Sequence, residues 1–196
     1  MKIAGIRYRV AAYIIDVIIV SVIVSLLTFG IQKSRQYTET KNDMGRILSE
    51  YFDSKISMNE AADAAFENQY ILDKEDVPNN LIELVITVGY FVLFAYYNKG
   101  QTFGKKLVHI RVISNDGEDA NYSQLFGRAL IINGCLSSII SLAIIGFIKP
   151  NQYVHTIGLI GLLQSIMIIC TIIMVAKRKD GRGLHDIISK TRVIEC

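Results

Sequence analysis

The chain has only three cysteines and three histidines, which removes several kinds of chemistry at once. Cys135 and Cys170 lie in long apolar stretches, Cys196 ends the chain, and the acidic 30–80 region has none, so no disulfide framework is expected. His109, His155 and His185 stand far apart, without the HExxH or CxxC spacing that holds zinc. No GxSxG turn raises a serine nucleophile. The chain is therefore read as a non-enzyme, without metal or cofactor.

Charge is the other scarcity, and it is local. Val10 to Phe29 contains one charged residue, Asp16; Leu81 to Tyr97 contains only Glu83; Leu130 to Ile148 contains none; Val154 to Ala176 contains only a histidine. Stretches of this length match a hydrocarbon core of ~30 Å at about 1.5 Å per helical residue. They are apolar on every side, whereas a soluble core helix would keep a polar stripe. Four transmembrane helices are predicted, in 1–29, 81–97, 124–148 and 154–176. Lys2, Arg7 and Arg9 precede the first, but that stretch is longer than a signal-peptide core and lacks a small-residue cleavage pattern, so it is read as an anchor that stays.

What is abundant sets the orientation. The N-terminus, the 98–128 segment and the C-terminal tail hold fourteen Lys and Arg, against seven in the 30–80 loop and the 149–153 turn, and the 30–80 loop carries ten acids. Basic loops stay inside. Both termini, the 98–123 segment and the 177–196 tail are therefore expected in the cytoplasm, where basic residues meet anionic lipid; nucleic acid is not an expected partner.

Two cytoplasmic segments say nearly the same thing. NKGQTFGKKLVHIRVI (98–113) and KDGRGLHDIISKTRVI (179–194) align at a constant offset of 81, pairing Gly100 with Gly181, Phe103 with Leu184 and Arg111 with Arg192. Gly104, Lys105 and Gly183 belong to the same turns. Each copy follows a helix pair, which predicts two parallel two-helix repeats related by an axis along the membrane normal. The Arg-Val-Ile segments alternate as strands do. They are expected to pair as a small cytoplasmic β-ribbon; the alternative is two separate amphipathic segments at the headgroups.

The 30–80 loop reads as an extracytoplasmic helical hairpin. Met44, Ile47, Leu48, Tyr51 and Phe52 fall at helical spacing, as do Met58, Ala61, Ala62, Ala65 and Phe66. Ser57 and Glu60 make a capping box at the second start. The apolar stripes either pack on each other and the membrane surface or form a docking face. Within the third membrane helix, Gly134 with Ser138, and Ser137 with Ser141, have the small-xxx-small spacing that allows close helix approach, and the fourth offers Gly158, Gly161, Gln164 and Ser165. The third helix is expected to be central.

The candidate site is built from charges that lipid disfavours. A carboxylate at the depth of Asp16 costs on the order of 3 kcal/mol and faces the bundle interior or a wet cavity. Arg9 lies on the same face, but its side chain leans toward the N-terminus and away from Asp16. Arg128, at the mouth of the third helix, is the preferred partner for Asp16, and Asp186 is the acid that Arg9 could bind. The network is either a structural lock alone or a lock that doubles as an ion or substrate site.

Arg9-Val-Ala-Ala-Tyr-Ile-Ile-Asp16, Gly100-Gln-Thr-Phe-Gly-Lys105 leading to Arg111-Val, and Gly183-Leu-His-Asp186, in that order, resemble the RDD family of bacterial integral membrane proteins. The resemblance covers residues 5–29 and 81–194, and the hairpin between them is longer than the family core. It implies that Arg9 is the family's arginine, Asp16 its first aspartate and Asp186, beside His185, its second. It further implies a cell-membrane protein concerned with transport, with cation/proton antiport in some members, or an accessory of other membrane systems. The expected function is thus a transport component using the Asp/Arg network for a cation, proton or small ligand. Because four helices are few for a carrier, a homo-oligomer or a partner membrane protein is expected. The alternative is a non-catalytic accessory or scaffold subunit docking through the 42–71 hairpin.

Overall fold

The computed structural model describes residues 2–196 and is mostly helical with one two-stranded sheet. Helix α1 (Ile6–Thr28) is followed by α2 (Arg35–Phe52) and α3 (Met58–Glu75), which pack together as the expected hairpin. Ser34 caps α2 by accepting the Tyr37 N–H at 3.0 Å. At α3 the Ser57–Glu60 box is formed in both directions, at 3.3 and 2.8 Å, and satisfies two of the N–H groups a helix start leaves open.

Helix α4 (Val77–Val88) runs through a π-helical segment (Gly89–Phe94) into α5 (Ala95–Tyr97), one apolar span from Val77 to Tyr97. After it come the short α6 (Phe103–Leu107) and β1 (Ile110–Ser114). Helices α7 (Tyr122–Ile132) and α8 (Cys135–Ile144) are separated by a break and inclined by 77°. Then α9 (Pro150–Lys177), α10 (Leu184–Ile188) and β2 (Thr191–Glu195) complete the chain. Three helices are long and apolar enough to cross a membrane, or four if the bent α7–α8 pair makes one span.

The break departs from the continuous third helix expected from the apolar run. Gly134 has φ +74°, a left-handed residue at the start of α8 rather than a small residue in mid-helix. Without a Cβ it reverses the backbone where other residues resist. Its surroundings are the Gln164 amide of α9 and the Ser137 hydroxyl, which donates back to the Gly134 carbonyl at 2.8 Å. The small-residue packing assigned to Gly158 and Gly161 is also absent: a Cβ added at either would meet nothing within 4 Å. Both face outward on α9, among exposed Leu159, Leu162, Leu163 and Ile166. Ser141, by contrast, bonds the buried Tyr153 hydroxyl at 2.7 Å, while Ser138 is half-buried.

The sheet is the expected pairing of the two Arg-Val-Ile segments. β1 and β2 run antiparallel with Val112 opposite Val193 and Arg111 opposite Ile194. The N-terminal residues close on the ribbon, with the Ala4 N–H donating to the Val193 carbonyl at 3.1 Å. Its inner face, Ile110, Val112 and Val193, joins Ala12, Val92 and Ala129 in one core. The 81-residue offset recurs in the backbone: α6 and α10, and β1 and β2, begin and end at equivalent positions. Positive φ falls at Gly100 and Gly181 and at His109 and Lys190.

Candidate functional site

The carboxylates sit at the end of the bundle that carries the ribbon. Asp16, on α1, is 1% exposed. The Tyr90 hydroxyl from the π segment donates to its Oδ1 at 2.7 Å, the Gly104 N–H to the same oxygen at 2.7 Å, and the Thr102 hydroxyl to Oδ2. These bonds to a buried acid supply the partners that lipid cannot.

The close approach needs glycine. A Cβ on Gly104 would lie 2.3 Å from the Ala12 carbonyl and 2.8 Å from Asp16, and one on Gly100 would lie 2.0 Å from the Val112 carbonyl. The first turn motif is thus pressed into α1 at the level of Ala12 and Asp16. Tyr90 is brought there by the π segment, and local widening of this kind re-aims side chains at such positions.

Arg128 does not meet Asp16. It ion-pairs through Nη1 with Asp186 and also donates to the Thr191 hydroxyl at 2.8 Å. Arg9 joins the same acid from α1, its Nη1 3.0 Å from Asp186 Oδ2, while its Nε donates to the Ala4 carbonyl at 3.1 Å. Asp186 therefore collects both arginines, together with the Gly183 N–H at 3.1 Å. The correction has a simple cause. The short helix α10 carries Asp186 between Arg9 of α1 and Arg128 of α7, while α6 packs on α1 and occupies the space beside Asp16.

Burial would raise the Asp186 pKa, but Arg128, His185 and Arg9 hold the carboxyl well below the usual range. His185 is 5% exposed; burial, reinforced by the charge of Arg128, draws its imidazole down to about 4. It is neutral at physiological pH, with Nε2 3.3 Å from Asp186. Burial also lowers the Lys105 ammonium to about 8, against the pull of Asp16. The carboxylate-poor partner set of Lys105 is the Thr102 hydroxyl at 3.2 Å and the face of Phe91.

Of the other turn residues, Gly181 (φ +58°) abuts Ile3, and Gly183 packs against His185 and Thr171. Beside these charges lies a cavity of about 310 Å³. Arg9, Asp16, Lys105, Arg128 and His185 line it together with apolar residues of α1 and α9, Tyr13, Ile168 and Ile172 among them. Of the sequence-derived network, Arg9, Asp16, Arg128 and His185 line this space, whereas Asp186 does not line it and holds the two arginines from behind. Tyr90, Thr102, Thr171 and Thr191 were not foreseen. Only Thr102, inside the repeated turn, carried a signal, since a hydroxyl before a short helix is a common capping choice.

Apolar spanning helices, with a charged cavity at one end of their bundle, define a polytopic membrane protein. The RDD family model matches residues 3–190, and the chain belongs to the RDD family. It is 28% identical over 204 residues to the uncharacterized protein YxaI of Bacillus subtilis (strain 168), covering 98% of this chain and 97% of that one. It is also 28% identical over 124 residues to the uncharacterized protein YckC of the same organism, covering 63% and 66% of the two chains. No solved structure matches.

Proposed function

We propose that the protein is a transport component of the bacterial cell membrane and that the cavity beside Asp16 and Arg128 is its working site. The observation that carries this reading is the cavity itself: three cations and a carboxylate share one space with an apolar wall. Ionisable groups held at membrane depth are expensive and mark ion or ligand pathways. Asp16, already accepting three hydrogen bonds, acts as the lock that fixes α6 to α1. Arg128 and Lys105 are the groups that meet the transported ion or small ligand.

In this reading the two halves are parallel repeats, the ribbon and both termini are cytoplasmic, and the α2–α3 hairpin is extracytoplasmic. The excess of Lys and Arg at the ribbon end supports the sidedness. The outward face of α9, which buries little of its apolar surface, is available to lipid, to a second copy or to another membrane protein.

A second reading, an accessory subunit, draws on the hairpin tip, where Phe52 and Met58 are 75% and 72% exposed. Proteoliposomes under gradients of protons, alkali cations and a small organic anion separate the two. Transport predicts flux in wild type that survives Phe52→Ser with Met58→Ser. The accessory role predicts no flux in either protein, and loss of a co-purifying membrane partner in the variant.

A further inference from the structure

Two unpaired polar atoms of cavity-lining residues point to its occupant. Thr171 Oγ1 and His185 Nδ1 are buried and have no hydrogen-bond partner among the described residues, and their residues are 8% and 5% exposed. Buried polar atoms left unpaired are rare in folded proteins, because each forfeits its hydration. Here two of them belong to residues that line the same cavity, on different elements.

Their chemistry is complementary. The neutral His185 imidazole holds Nε2 3.3 Å from the Asp186 carboxylate, which favours the tautomer protonated at Nε2 and leaves Nδ1 as the acceptor. Thr171 can donate. Close by, both hydrogen bonds of Arg128 leave through Nη1, so Nε and Nη2 remain for another acceptor. Lys105 has no ion pair among the described residues and gives one hydrogen bond, to Thr102. With Arg9, Lys105 and Arg128 set against Asp16 and Asp186, the cluster carries one positive charge in excess. An uncompensated cation in an apolar wall is costly, and an anionic head would offset it.

The cavity is also open on one flank. Its charged residues share the wall with Tyr13, Ile168 and Ile172, and Val10, Tyr13 and Ile172 are 47%, 40% and 52% exposed while lining it. It therefore opens on the flank between α1 and α9, where an apolar tail can extend into lipid.

We infer that the cavity binds an amphipathic phosphate anion bearing a hydroxyl hydrogen, with its head on Arg128, Lys105 and Thr171, its O–H donated to His185 Nδ1, and its tail along α9. Phosphate oxygens suit the free guanidinium and ammonium donors. A simple carboxylate lacks the hydrogen that His185 accepts. This deepens the reading of the cavity as the working site and rests on it.

The test uses the full chain in non-ionic detergent and fluorescent phosphatidylglycerol as probe, with phosphatidylcholine, oleate and inorganic phosphate as competitors. Saturable binding of about one probe per chain is expected. Lys105→Gln and Thr171→Val, with unchanged melting temperatures, should each weaken it about tenfold. Phosphatidylcholine and oleate should compete poorly. Effective competition by inorganic phosphate would mean that the free ion is the ligand and would overturn the lipid assignment. Binding no tighter than that of phosphatidylcholine, or insensitive to both substitutions, would overturn it as well; if Lys105→Gln fails to fold, Thr171→Val decides. Probe binding without flux in proteoliposomes sinks the transport reading alone, whereas cavity-dependent flux without probe binding sinks the ligand class alone.

Discussion

The backbone N–H of Gly104 donates to the carboxylate of Asp16 at 2.7 Å, joining residues 88 positions apart. At this contact the turn between the second span and the ribbon is fastened to α1. An added Cβ at Gly104 would collide with the Ala12 carbonyl, a backbone atom that cannot step aside. Gly104→Ala should therefore cost about 3 kcal/mol, the upper end of overpacking effects. Gly45→Ala, on an open face of α2, should instead stabilise by about 0.5–1 kcal/mol. Thermal unfolding in detergent checks both; equal effects would contradict the close approach.

His185 sets a pH dependence. Its folded-state pKa, about 4, lies below the ordinary 6.5, so between those values the unfolded chain binds the proton more strongly and stability falls as pH falls. The loss across that window is about 3 kcal/mol at 1.36 kcal/mol per unit. Below pH 4 the depressed pKa of Asp186 takes over, and protonation there releases both arginines. His185→Gln should flatten the melting-temperature profile between pH 7 and 4 while leaving the fall below pH 4. An unchanged slope in the upper window would contradict the assignment.

Lys190 ends α10 with φ +52°, a left-handed conformation that costs a residue with a Cβ roughly 1–2 kcal/mol. It is exposed, so no contact is lost on truncation. Lys190→Gly should raise stability by about 1 kcal/mol, after allowing for the greater freedom of glycine in the unfolded chain. A lower melting temperature would show that the lysine side chain supports the turn.

Much of this architecture was legible because it depends on local pattern. The apolar runs, the Ser57–Glu60 cap and the alternating Arg-Val-Ile segments each carry their own periodicity. The bend at Gly134 did not, since one glycine in an apolar run reads equally as a packing residue and as a reversal. Pairing was the least legible. Arg9 with Asp186 followed from both lying near one end, but Arg128 was assigned to Asp16 because nothing local reveals that α6 fills the space beside that acid. Tyr90 and Thr102 meet Asp16 across 74 and 86 positions, a relation fixed by packing.

Sidedness has its own test. Lys55, at the hairpin turn, and Lys179, after α9, are both exposed. A cysteine placed at position 55 should react with an impermeant maleimide in intact cells, and one at 179 only after permeabilisation. The reverse pattern would place the ribbon end outside and remove the cytoplasmic assignment of the cavity.

The most direct test of the cavity as the working site is flux through a protein whose cavity alone is filled. Ile172 lines it and is 52% exposed, so Ile172→Trp adds bulk at the mouth without disturbing the Arg9–Asp186–Arg128 cluster. In proteoliposomes gradient-driven flux is expected in wild type, with loss of at least about nine-tenths of it in Ile172→Trp and melting temperatures that agree. Flux undiminished in the filled variant, or none in wild type under any gradient, would contradict that role of the cavity.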